Sequence, residues 1–193
     1  MWTIIKKEVK SYFLSPIAYI FIGLFLFMNS IFFYLDVYAI GRVNFEYMFG
    51  SLATVLTFVV PILTMRMFAE ERKNGTEQIL YTSPRSITSI VLGKFLAATI
   101  IMVICEVFTL MYLGILKYFG QPHISTALVT LLGFLLLSMA YIAFGMFASS
   151  ITENQIIAGV ITIAGLLVIW FMPSFYSLSL IHISEPTRPE PIS

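Results

Sequence analysis

Long apolar runs alternate with short polar stretches along the whole chain. Residues 16–35, 48–65 and 124–148 carry no charge, residues 95–116 carry only Glu106, and residues 156–172 form a shorter charge-free run. A bilayer core requires about 20 apolar residues per helical crossing, so each run is a candidate span. No run shows the apolar/polar alternation of a membrane barrel strand, and lipid offers no partner to a bare backbone, so the spans are helices. The pattern predicts an all-α polytopic membrane protein with about five transmembrane helices. Pro61 falls inside the second run, where it removes a backbone donor and is expected to kink the helix.

The first fourteen residues follow another rule. Trp2, Ile5, Val9, Tyr12 and Phe13 recur at helical spacing, with Lys6, Lys7 and Lys10 mostly elsewhere on the wheel. This predicts an N-terminal amphipathic helix lying in the membrane interface. Ser15-Pro16 would turn the chain from lying on the membrane to crossing it. The simpler alternative is a basic flank that only orients the first span.

Composition agrees with the pattern. The chain is 59% hydrophobic, 16% aromatic and 11% charged, with a mean hydropathy of +0.94, far from a soluble domain. The net charge of +1 points to no class of partner. Cys105 is the single cysteine, which excludes an intrachain disulfide and argues against a cysteine metal site. No small-residue cleavage site follows the first apolar run, so the N-terminus does not read as a signal peptide. With the N-terminus cytoplasmic, Lys6, Lys7, Lys10, Arg66, Arg72, Lys73, Arg85 and Lys94 fall inside, against Arg42 and Lys117 outside. That bias sets the orientation. The sequon Asn74-Gly75-Thr76 would then be cytoplasmic and without use.

Residues 66–94 are the one long polar segment between apolar runs, and they hold five of the eleven Lys and Arg residues. Asn74 followed by Glu77 resembles a capping box, predicting a short helix from residue 75. Ser83-Pro84 should end it, because a residue before proline is pushed out of the helical region. So short a helix is not stable alone in water. Ile79, Leu80 and Tyr81 therefore need a surface, either a partner's groove or the ends of neighbouring spans. Composition leaves both open.

The residues FAEERKNGTEQILYTSPRSITSIVLGKFLA carry a more specific signal. The pattern E-E-R-x-x-G-T-x-x-x-L-x-x-S-P followed by I-V-x-G-K-F resembles the first cytoplasmic loop of ABC-2 type permeases, the membrane subunits of ATP-driven exporters. The N-terminal K-K-E-x-x-x-Y-F-x-S-P-I-A-Y is similar to the gliding-motility and copper-processing branch of that family. The resemblance implies a connecting helix at residues 2–13 and a coupling helix at residues 75–82 seated in an ATPase subunit. Asn74, Glu77, Ile79, Leu80, Tyr81, Ser83 and Pro84 would make that contact, with residues 149–155 as a smaller one. It also implies a second permease subunit, in a homo- or heterodimer, six spans in a complete member, and a place in the inner cell membrane. Neither cofactor nor nucleic acid is expected. No G-x-x-x-x-G-K-[ST] occurs, so ATP hydrolysis would belong to the partner.

Glu70-Glu71 matches the paired glutamates of prenyl-processing intramembrane proteases, but Gly75 stands where those enzymes need arginine, and His123 and His182 are misplaced. A local ion-pair cluster is the simpler reading. Glu106 in mid-membrane is either a polar site on a transport route or a carboxyl satisfied by a neighbour such as Asn29 or Ser138. An ion-gradient transporter using Glu106, or a membrane scaffold without transport, are the alternative functions. Gly23, Gly114, Gly133, Gly145, Gly159 and Gly165 are candidate close-approach positions. Residues 178–188 resemble a translated sequencing adapter. The expectation is therefore an incomplete permease domain at residues 1–177 and a disordered non-native tail at residues 178–193.

Overall fold

The computed structural model of the chain describes residues 2–39, 41, 45–76, 86–119 and 123–184, and every regular element among them is helical. In chain order these are α1 (Trp2–Leu14), α2 (Pro16–Phe33), α3 (Phe45–Thr64), the short α4 (Ala69–Lys73), α5 (Ile87–Phe119), α6 (Ile124–Ile151) and α7 (Gln155–Ser184). A wider π-helical turn, Tyr34–Ala39, extends α2 and carries Asp36. Five segments are long and apolar enough to cross a membrane: Pro16–Val37, Met48–Lys73, Ile87–Tyr118, Ile124–Ile151 and Gln155–Met172. The all-α polytopic architecture read from the apolar runs is the one observed.

The bundle is organised around α3, which packs on α2, α6 and α7. Its buried stripe of Leu52, Leu56, Val59, Val60 and Leu63 meets Phe21 and Phe25 of α2 and Phe134 of α6 in one apolar cluster. Phe134 joins the helices directly, with its ring centroid 4.9 Å from Phe49 and 6.1 Å from Phe25. Pro61 lies within α3, and the helix continues through it to Thr64.

Two expectations change. The inner face of α1 packs on α5 and α2, so part of its apolar stripe is covered by protein. Ile5 is buried, Tyr12 donates to the Leu63 carbonyl at 3.3 Å, and Trp2 is 76% exposed on the other side. Helix α1 can settle there because Gly93 of α5 has no side chain: a Cβ would sit 2.6 Å from Ile4 Cγ2. The second change is at the C-terminus, where α7 continues as helix through Ser184, into the stretch expected to be disordered. Leu178, Leu180, Ile181 and Ile183 suit a helix, and no proline stands between Pro173 and Pro186. Residues 185–193 lie outside the described residues, as do Arg42 and Arg85 of the orientation argument.

Lipid tails are as apolar as leucine, so helix contacts in a membrane depend on close fit more than on hydrophobic burial. The glycines divide accordingly. A Cβ at Gly145 would lie within 2.2 Å of Thr64 Oγ1, and one at Gly165 within 2.2 Å of the Phe144 ring. At Gly23, Gly114 and Gly133 it would meet nothing within 4 Å among the described residues, so no helix of this chain approaches closely there. Gly145→Ala is expected to push α6 from α3 and lower stability by about 1–3 kcal/mol. Gly23→Ala should be neutral or slightly stabilising, with thermal unfolding in detergent as the measurement for both.

Candidate functional site

The polar end of the bundle is built where α3 stops. Pro61 has no N–H to give Thr57, but its own carbonyl accepts from Met65 at 2.9 Å, and the Met67 N–H tightens onto Thr64 at 3.0 Å. The chain turns, and α4 starts without a cap of its own, since Phe68 supplies no side-chain hydrogen bond. Ser149 at the end of α6 fills that role. Its Oγ accepts from the Phe68 and Ala69 N–H groups at 3.1 Å each and donates to the Met65 carbonyl at 3.2 Å. A buried hydroxyl on one helix thus caps another, satisfying donors that would otherwise be orphaned.

The far end of α4 closes on itself. Gly75 has φ +68°, the left-handed region that glycine adopts at little cost, while Asn74 is still in the right-handed helical region. The Thr76 N–H reaches the Glu71 carbonyl at 3.0 Å and the Gly75 N–H reaches Arg72 at 3.1 Å, the paired bonds of a Schellman motif. Asn74 therefore ends α4 and is not the extended N-cap of a following helix, contrary to the capping-box expectation. Glu77, Ile79, Leu80, Tyr81, Ser83 and Pro84 lie outside the described residues.

Between its two ends α4 is held by ion pairs that cross elements. Arg66 grips Glu70 with one guanidinium edge, Nε and Nη2 each at 2.5 Å, and donates through Nη1 to Ser15 Oγ at 2.9 Å, which fixes the corner between α1 and α2. Lys94 of α5 is only 3% exposed. Its ammonium lies 2.7 Å from Glu71 of α4 and 3.4 Å from Glu8 of α1, and 5.5 Å from the centroid of the Phe68 ring. Three elements converge on one buried cation. Nearby, desolvation first and the Glu8 charge second raise the Tyr12 phenol above its ordinary value, so it stays protonated and able to donate to Leu63.

Around these pairs lies an open cleft of about 230 Å³, lined by Tyr12, Ser15, Arg66, Glu70, Asn74 and Lys94 among others. A second, more apolar groove of about 350 Å³ runs between α4, the start of α5 and the end of α6, past Phe68, Ile87, Val91, Met146 and Phe147. Glu70 pairs locally with Arg66, four residues before it, and Glu71 pairs across the fold with Lys94, so the local cluster expected around Glu70-Glu71 is extended by one long-range pair. Lys94, counted at first only as one positive charge, was missed as the hub. The signal in the sequence was its place: a lysine directly after Gly93, at the mouth of an apolar run. Ser149, expected at an outer contact, is buried in the α4 cap, whereas Glu153 and Asn154 in the same turn are exposed.

Glu106 sits apart, within α5. It is 9% exposed, and its Oε1 has no partner among the described residues. The two neighbours expected to satisfy it are engaged elsewhere. Asn29 gives its amide to Thr109 Oγ1 at 2.7 Å, and Ser138 turns back to the Leu135 carbonyl at 2.7 Å. The amide bond goes to Thr109, one helical turn beyond Glu106 on the same face.

Comparison with known proteins gives one finding. A family model described as ABC-2 family transporter protein matches residues 41–189, from the connection before α3 through the segment read as an adapter. No curated protein and no solved structure matches the chain.

Removing a buried charge's partner costs far more than the pair contributes. Lys94→Met should therefore lower stability by about 3 kcal/mol, because Glu8 and Glu71 are left facing each other. The double variant Lys94→Met/Glu71→Gln should recover part of the loss. Thermal unfolding of both variants in detergent checks the pairing, and equal losses would show that Glu71 is not the partner that matters.

Proposed function

Because the chain belongs to the ABC-2 family of transporter proteins, we propose that it is the membrane subunit of an exporter driven by ATP hydrolysis in a separate subunit. The ATPase docks on the segment between α4 and α5, with Asn74, Glu77, Ile79, Leu80, Tyr81, Ser83 and Pro84 as its contact. The observation that carries this reading is the way α4 is built in. The segment leaves directly from the Schellman end of α4, and α4 is tied to α1 and α5 through Lys94, to the α1–α2 corner through Arg66, and to α6 through Ser149. A displacement at the segment is therefore passed to the spans as one movement. Such a lever biases the membrane part only if its docked position differs between two conformations.

Two such chains, identical or related, enclose the substrate path between them, and the N-terminus lies on the cytoplasmic side of the inner cell membrane. The lysine and arginine bias supports that orientation. The N-terminal K-K-E-x-x-x-Y-F-x-S-P-I-A-Y supports the gliding-motility and copper-processing branch. The polar end performs no chemistry in this reading, since the carboxylates Glu70 and Glu71 are each engaged by a cation.

One observation favours a second reading. The unpartnered Glu106 oxygen within a span suits the coupling residue of an ion-gradient transporter. The two readings separate on two measurements. An ATP-hydrolysing subunit that copurifies with the wild type and is lost on Leu80→Asp supports the exporter, and unchanged association refutes the proposed contact. Uptake that follows an ion gradient without ATP and disappears on Glu106→Gln would establish the second reading instead.

A further inference from the structure

The outward side of α1 has a chemistry that the coupling reading leaves unused. At 3.6 residues per turn, Trp2 and Phe13 fall within about 20° of each other on the helix, and Lys6 and Lys10 follow within about 80° of Trp2. Lys7 is about 140° from Trp2, beside Ser11, and Ser11 lines the cleft at the polar end. The helix thus has two different flanks. Trp2, Lys6, Lys7 and Lys10 are all exposed, so only their angular positions set Lys7 apart, and the three lysines form no ion pair among the described residues.

The Phe13 ring shows which flank meets lipid. It packs edge-on against Tyr19 at 6.0 Å, and Tyr19 is 62% exposed in the first turn of a membrane span. The flank that carries Trp2, Lys6 and Phe13 therefore continues the outer surface of α2 at the depth where that span enters the membrane. Ser15 holds this level: its Oγ accepts from the Ile17 N–H at 3.4 Å and from Arg66 at 2.9 Å, so α1 cannot swing away without opening the corner. Aromatic rings with polar edges settle at the headgroup boundary, and lysines beside them extend to the phosphate layer.

We infer that the Trp2–Lys6–Lys10–Phe13 flank of α1 binds anionic phospholipid headgroups, the two lysines meeting phosphate oxygens while the rings of Trp2 and Phe13 lie at the acyl boundary. Among the described residues the basic charge of this flank is unopposed, so a negatively charged headgroup is the complement, and a zwitterionic one is not. Lys7, on the cleft side, takes no part. The inference does not rest on an ATPase partner.

The test uses the full chain in vesicles, with Trp170→Phe making Trp2 the sole tryptophan. Its fluorescence is quenched with phosphatidylglycerol or phosphatidylcholine carrying brominated acyl chains, at equal mole fraction. Brominated phosphatidylglycerol should quench about two-fold more strongly, and the difference should fade in high salt. Lys6→Gln/Lys10→Gln should abolish that preference, and Lys7→Gln should keep it. Equal quenching by the two lipids overturns the inference, as does a loss in Lys7→Gln as large as in the double variant. Trp2 left unquenched by either lipid would also overturn it, placing the flank against an acidic protein surface instead.

Discussion

A cation withdrawn from water at the edge of a membrane bundle must be matched, and Lys94 is matched from two directions. Glu71 of α4 and Glu8 of α1 both reach its ammonium, and the Phe68 ring covers it. The adjacent Gly93 gives α1 the space to approach, because Ile4 occupies the place of a side chain there. Gly93-Lys94 therefore has a structural explanation. One residue lets α1 come close and the next supplies the charge that holds it, and neither is needed for phosphate. Pairs of this kind contribute little net stability but are costly to break, so they fix a geometry more than they strengthen it.

Much of the fold was legible because membrane helices declare themselves by continuous apolarity, which needs no tertiary information. The same reading failed where two local signals competed, and where an outcome depended on which distant residue arrived. Asn74 carried two local signals at once. With Glu77 it resembled the start of a helix, and with Gly75 after Glu70-Glu71-Arg72-Lys73 it also matched a helix end. The end prevailed because the Thr76 and Gly75 N–H groups found the carbonyls of Glu71 and Arg72. Lys94 read as one more basic flank residue, since nothing in its neighbourhood reveals Glu8, which is remote in sequence and near in space. Asn29 and Ser138 suit Glu106 as partners by residue type, but Thr109 takes the Asn29 amide and the Leu135 carbonyl takes the Ser138 hydroxyl. The family resemblance concerns the segment after α4 and carries no information on how the fold holds its base.

Close packing accounts for which helices move together. Gly145 lets α6 approach Thr64 at the end of α3, and four residues later on α6 Ser149 caps α4. The α3–α6 contact and the α4 cap are therefore one continuous seam, with van der Waals fit on the membrane side and hydrogen bonds on the polar side. Where membrane helices lack such contacts they are free to slide, because lipid replaces a lost apolar neighbour at little cost. Gly23, Gly114 and Gly133 mark surfaces of that second kind within the described residues.

The seam and the charged layer together decide how a force on α4 is shared. If α4 were hinged at its ends, a push on the adjoining segment would turn it alone. Its start, however, is capped by Ser149, its middle is pinned through Glu70 and Glu71, and its end is closed by backbone bonds. Rotating it independently would strand Lys94 or leave the Phe68 and Ala69 N–H groups without their Ser149 acceptor, each costing more than a small shift of the whole layer. Helix α4 is thus poorly able to move by itself. Its five residues behave as part of a plate that joins α1, α5 and α6. A plate of this kind transmits displacement to several spans at once, which a flexible loop on a rigid bundle does not.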